Sequence, residues 1–91
     1  MVDLSVRLKA LRKERELTIE MLTDDLNMRF PQMQVNKSMI SRWENGVNDP
    51  SLENAKMLCI YFNVSLDYLI GLTDVRTPSR LLAVRRKEEK R

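Results

Sequence analysis

Ninety-one residues, 43% hydrophobic and 32% charged, suffice for one small globular domain with a single modest core, and no apolar run approaches the length of a membrane span. A single cysteine, Cys59, and no histidine exclude an internal disulfide, a Cys/His zinc site, a histidine general base and a Cys–His nucleophile pair. The formal net charge of +3 is uneven: seven basic against two acidic residues from Arg76 to Arg91 leave residues 1–75 at −2, so the position of each charge matters more than the total.

Almost every segment reads as helix, and none sustains the alternation of a strand. Leu4, Leu8 and Leu11 stand at i, i+4, i+7 on a first helix ending near Glu16. Thr18 is an N-cap for a second helix, with Leu17 and Leu22 at staple spacing, Glu20 in the first turn, and Leu22 and Leu26 inward. That helix is expected to fade over Asn27 to Phe30, because Pro31 disfavours helical geometry in the residue before it. Asn36 caps a third helix, with Val35 and Ile40 again at staple spacing, and Asn45-Gly46 stops it. After Asn48-Asp49-Pro50, Ser51 caps a fourth helix with the inner face Leu52, Ala55, Leu58, Cys59 and Phe62. Asn63 ends it. Ser65 caps a fifth, carrying Leu66, Leu69 and Ile70 and closed by Gly71. Beyond Thr77-Pro78, Ser79 can cap one more short helix with Leu81, Leu82 and Val84 apolar. The expected architecture is all-α: a compact five-helix domain over 1–73 and a basic extension over 74–91.

The third helix carries the chemistry. At 100° per residue, Lys37, Ser38, Ser41, Arg42 and Asn45 fall within an arc of roughly 140°, all of them hydrogen-bonding side chains. Met39, Ile40, Trp43 and Glu44 take the other side. Short polar groups beside one Lys and one Arg suit contact with base edges and phosphates, since they donate and accept without blocking close approach. A solvated face on an ordinary amphipathic helix is the bland alternative.

The landmarks Leu11-Arg12, Leu17-Thr18, Val35 with Asn36-Lys-Ser-Met-Ile-Ser-Arg-Trp-Glu-Asn-Gly46, Pro50-Ser-Leu-Glu53 and Phe62-Asn-Val-Ser-Leu-Asp-Tyr-Leu-Ile-Gly71, in this order, resemble the lambda-repressor-like helix-turn-helix family of Cro/CI-type, or XRE, regulators. The resemblance implies that the third helix lies in the major groove of double-stranded DNA. It assigns base edges to Lys37, Ser38 and Arg42, and positions near the phosphates to Asn36, Ser41, Asn45 and the Gly46-Val47 backbone. Arg42 is the leading candidate for specificity, because a guanidinium can grip guanine through two parallel hydrogen bonds. The resemblance also pairs Glu44, on the inward arc, with Arg12. Trp43 could stack on the sugar-phosphate edge, but at this spacing it is read as core. Cys59 is read as a small hydrophobe, and Met21, Met28, Met33 and Met39 as adaptable packing.

Two features depart from the family pattern. The second helix usually begins with a glutamine whose amide reaches a phosphate, and here that position is Ile19; Thr18, the free N–H groups of the helix start, or Glu20 must stand in, and an acid is a poor substitute. The turn between helices 2 and 3, Asn27 to Gln34, exceeds the usual length by roughly seven residues, which is similar to some temperate-phage repressors of Gram-positive hosts. Arg29, Gln32 and Gln34 could reach the DNA backbone from it; equally, it could be a tolerated surface loop with Phe30 and Met33 packed on the core's edge.

These features imply a cytoplasmic, sequence-specific regulator, a repressor that binds a palindromic operator as a homodimer, with no cofactor, no metal and no membrane contact. A second reading keeps the fold and makes another protein the main partner, as in an antitoxin or phage-switch protein, using the acidic Glu20, Asp24 and Asp25. An enzyme lacks a constellation: there are only two glycines, Gly46 and Gly71, so no phosphate loop, and the carboxylates are scattered. The run Arg85-Arg86-Lys87 could add non-specific phosphate attraction. Leu81, Leu82 and Val84 could form a dimer contact or open a linker, and the chain is compatible with being a fragment of a longer regulator.

Overall fold

The structure, a computed structural model, describes residues 3–78. Five α-helices follow in order: α1 (Leu4–Glu14), α2 (Ile19–Arg29), α3 (Lys37–Glu44), α4 (Leu52–Phe62) and α5 (Leu66–Leu69), with one 3-10 turn at Pro31–Met33 between α2 and α3. No strand occurs among the described residues, and no helix among them is long and apolar enough to cross a membrane. The helix and basic run expected beyond Ser79 lie outside the described residues.

Each helix begins on a side chain that satisfies one of its orphan amides. Asp3, Thr18, Asn36, Ser51 and Ser65 accept from the backbone N–H of Val6, Met21, Met39, Asn54 and Tyr68, respectively, and each such bond contributes about 1 kcal/mol. Four of these caps agree with the sequence; Asp3, ahead of α1, adds the fifth. α1 ends at Glu14, two residues early, because Arg15 caps it and Glu16 turns left-handed at φ 58°.

α3 packs against α1 and α2, and α5 against α1 and α4. Leu8, Leu22, Leu26, Ile40, Leu58 and Leu69 are fully buried, one or two from each helix, so the core is a single cluster that all five elements share. Leu17 is half-buried against this cluster, and Val35 is part of it, beside the buried Leu22 and Ile40.

α2 ends at Arg29, within the window expected from Pro31, and Phe30 (φ −132°, ψ 64°) is the non-helical residue that the proline constrains. Two details differ from the sequence pattern. The inner face of α4 is Ala55, Met57, Leu58, Tyr61 and Phe62, while Leu52 is 65% exposed and Cys59 only half-buried. On α5 only Leu69 is buried; Leu66 and Ile70 share its helical face but flank it nearer the surface, at 36% and 37% exposed.

The chain past α5 returns to the body. Arg7, buried on α1, stacks 4.0 Å above the Tyr68 ring and donates to Asp74 Oδ1 at 2.7 Å. The Ser65 amide donates to the Arg76 carbonyl at 3.0 Å, and the Arg76 guanidinium donates to Glu14 Oε1 at 2.8 Å. Residues 74–76 therefore tie α1 to the α4–α5 corner.

Candidate nucleic-acid interface

α3 is fixed from behind before it presents anything outward. Ile40 and Trp43 are buried in the core, which makes Trp43 a packing residue. Glu44, also buried, accepts two hydrogen bonds from Arg12, from Nε to Oε2 at 2.6 Å and from Nη2 to Oε1 at 2.8 Å. The third guanidinium nitrogen of Arg12 donates to the Leu17 carbonyl at 2.7 Å. One side chain thus joins the end of α1, the entrance of α2 and the last turn of α3. The carboxylate raises the Arg12 guanidinium above its ordinary value, so it stays charged across the accessible pH range.

The ends of α3 are equally set. Asn36 Oδ1 accepts from the Met39 amide at 2.9 Å, which leaves the Asn36 NH₂ group for an external acceptor. At the other end Gly46, at φ +69°, donates to the Trp43 carbonyl, and Val47 donates to the Arg42 carbonyl at 2.9 Å. This is a Schellman termination. It occupies both amides that the family resemblance directs toward phosphate, so Gly46 acts here as the helix stop.

Lys37, Ser38 and Arg42 are exposed side by side on the outer face of α3, and Arg42 has no ion-pair partner among the described residues. Ser41 and Asn45 are tied to one another: Asn45 Nδ2 donates to the Ser41 carbonyl at 2.8 Å and to its hydroxyl at 3.3 Å. Asn45 thereby offers its carbonyl oxygen outward, an acceptor that suits a base edge better than a phosphate.

Across the turn, Thr18 is exposed, and its hydroxyl oxygen accepts from Met21 N–H at 3.0 Å while its proton stays free to donate outward. Glu20, in the first turn of α2, stands 3.8 Å from Lys37 Nζ, with both side chains well exposed. This acid, one residue past Ile19 at the usual amide's position, therefore sits against Lys37, one of the two cations on the outer face of α3. Arg29 lies at the far end of α2, about 16 Å along the axis from Thr18, where it rests on the Tyr61 ring at 5.1 Å and the Phe30 ring at 5.7 Å. The structure brings Thr18, Glu20 and Lys37 toward one edge and sets Arg29 against Phe30 and, on α4, Tyr61. Asp25 accepts the Tyr61 hydroxyl proton at 2.7 Å, which removes it from the acidic face expected along α2.

Sequence reasoning named Gln34 as a residue of the long turn but missed how the turn is held. Asn27 clamps Val35 by two hydrogen bonds, and Gln34 is left-handed, at φ 50°. An asparagine near a helix end, eight residues ahead of its partner Val35, carries no short-range pattern, and a glutamine gives no warning of positive φ.

A helix-turn-helix family model matches residues 8–69, most of the described body. The chain is 30% identical over 70 residues to the HTH-type transcriptional activator BcrR of Enterococcus faecalis, covering 77% of this chain and 31% of that protein. It is 33% identical over 72 residues to YobD, an uncharacterized HTH-type transcriptional regulator of Bacillus subtilis strain 168, covering 79% of this chain and 58% of that protein. The chain thus spans between a third and three-fifths of the length of these relatives. Capped helices in this order, an outward polar face on α3 and a family match across both place the chain in the helix-turn-helix family of XRE, or Cro/CI-like, transcriptional regulators.

Proposed function

We propose that this chain is a sequence-specific double-stranded DNA-binding regulator that represses by occupancy. Two copies set their α3 helices into successive major grooves of a two-fold symmetric operator, with half-sites about 34 Å apart, and exclude polymerase. A homodimer is part of the proposal because one eight-residue helix reads too few base pairs for operator-level discrimination. The observation that carries the reading is the free guanidinium of Arg42 beside Lys37 and Ser38, on a helix whose opposite side is locked by Arg12 and Glu44. Lys37, Ser38 and Arg42 take base edges; Asn36 and Thr18 keep donors for phosphates. Ser41 and Asn45 act as a hydrogen-bonded pair. No catalytic step enters the proposal, and its setting is the cytoplasm.

Selection of bound duplexes from a random DNA pool tests it, repeated with Arg42→Ala. The parent chain should enrich a two-fold symmetric sequence, and Arg42→Ala should lose one preferred base in each half-site. Uniform weakening without a lost preference would demote Arg42 to a phosphate contact, and no enrichment by the parent would overturn the reading. One relative is named as an activator, so the sign is tested separately: the selected duplex laid across a promoter should lower reporter output when the chain is expressed.

A further inference from the structure

Asn45 stands near the middle of the outward arc of α3. At 100° per residue it falls about 80° from Lys37 and about 60° from Arg42, the two edges of that arc. Side chains on a helix lean toward its N-terminus, so the amide of this C-cap residue lies back over the turn that carries Ser41 and Arg42. It is held there. Asn45 Nδ2 donates to the Ser41 carbonyl at 2.8 Å and to the Ser41 hydroxyl oxygen at 3.3 Å. A backbone carbonyl only accepts, so the amide atom that faces it is the NH₂ group and not the oxygen.

That orientation fixes what the pair offers outward. Both amide protons are engaged, and Asn45 Oδ1 accepts nothing among the described residues. The Ser41 hydroxyl oxygen accepts, which leaves its proton to donate. A phosphate oxygen only accepts, so Asn45 in this arrangement has nothing to give it. Toward the major groove, an acceptor beside a donor matches adenine, whose edge presents the N6 amino group beside N7. Guanine and thymine show no amino group in that groove, and cytosine shows one without an adjoining acceptor.

We propose that Ser41 and Asn45 together read one adenine, Asn45 Oδ1 accepting from its N6 amino group and the Ser41 hydroxyl donating to N7. The assignment rests on α3 entering the major groove. It moves Asn45 from the phosphate edge, where the family resemblance sets it, to the specificity of the site. Asn45 is about 4.5 Å further along the helix axis than Arg42, little more than the roughly 3.4 Å between base pairs. The adenine therefore lies close to the base pair that Arg42 reads.

The duplex selected by the parent chain should carry an adenine there in each half-site, and its absence overturns the proposal. Titrations of that duplex with single base-edge groups deleted then test the contacts. Purine in place of the adenine removes only the N6 amino group, and 7-deazaadenine only the N7 acceptor. Each replacement should weaken binding by the parent roughly fivefold. Asn45→Ala should bind the unmodified duplex roughly fivefold more weakly and lose nothing further on purine, and Ser41→Ala should lose nothing further on 7-deazaadenine. Neither contact releases a counterion, so the salt slope should stay at the parent value. A parent insensitive to both replacements overturns the proposal without recourse to any variant. So does an Asn45→Ala chain as sensitive to purine as the parent; ethylation interference lost at one phosphate in that chain would return Asn45 to the backbone. Arg42→Ala still shifting its own base preference would leave α3 readout standing in those cases. Failure of the parent to retain any duplex overturns both.

Discussion

Arg12 grips Glu44 through two parallel hydrogen bonds of 2.6 and 2.8 Å, with side chains only 11% and 3% exposed, and so joins α1 to the last turn of α3. Two desolvated charges hold because each satisfies the other and because Arg12 also reaches the Leu17 carbonyl. Removing one partner leaves the other buried and uncompensated. Arg12→Ala should therefore cost roughly 3–5 kcal/mol of unfolding free energy, far above the level of an exposed pair. The exposed faces of Lys37, Ser38 and Arg42 do not touch Arg12, so base preference should persist in whatever fraction is folded. Denaturant unfolding checks the first point, and a loss below about 1 kcal/mol would show that the pair is not structural.

The ion pair between Glu20 and Lys37 has the opposite character. At 3.8 Å between exposed groups it adds little to stability, about 0–1 kcal/mol. In a DNA complex Glu20 would stand beside phosphates and hold back one of the two cations of the reading face. Glu20→Gln should shift the unfolding free energy by no more than about 0.5–1 kcal/mol, mostly through loss of a favourable charge at the α2 start. Affinity for the selected duplex should rise roughly three- to tenfold in low salt, and the gain should shrink as salt screens the charge. Titrations at two salt concentrations decide this. Unchanged affinity at the lower one would mean that Glu20 faces away from the bound duplex.

Gly46 owes its role to backbone conformation and not to crowding. A Cβ there would meet only the Ser5 hydroxyl oxygen, at an ordinary 3.9 Å, but φ is +69°. Gly46→Ala should then cost about 1–2 kcal/mol, and Gly46→Asn distinctly less, since Asn tolerates the left-handed region. Thermal melts of the two variants side by side give the comparison. Equal losses would implicate contact in place of strain.

Much of this fold is legible in the residues because caps and stops are local chemistry: Thr18, Asn36, Ser51 and Ser65 each satisfy an amide three residues on, and Gly46 supplies a left-handed stop. Long-range partners are not written that way. Tyr61 belongs to the inner face of α4, and its hydroxyl donates to Asp25, 36 positions earlier. Leu52 falls at the first position of α4, beside the open groove lined by Asp3, Pro50, Leu66 and Ile70. The outward residues of α3 follow from helical periodicity, which is why Lys37, Ser38 and Arg42 stand where the pattern sets them. What periodicity cannot give is their occupation: that Asn45 holds Ser41, that Glu20 faces Lys37, and that the amides of Gly46 and Val47 are already bonded.

The same Tyr61 yields a pH dependence with a definite sign. Burial comes first, then the Asp25 carboxylate accepting its hydroxyl, and together they raise the phenol above its ordinary 10.0, against a smaller lowering by Arg15. A phenol raised on folding binds its proton more tightly in the native chain than in the unfolded one. Below about pH 10 this contribution is fully present. Between that value and the higher native one, the native state carries more protons, so the unfolding free energy falls as pH rises. Tyr61→Phe cannot ionise and loses the bond to Asp25, so it should be less stable at neutral pH by roughly 0.5–1.5 kcal/mol. Its stability should then decline less steeply above about pH 10, and the two curves should converge. Lysine titration is common to both proteins and cancels in the difference. Urea unfolding from neutral to strongly alkaline pH measures it, and parallel curves throughout would mean that folding does not hold the Tyr61 proton.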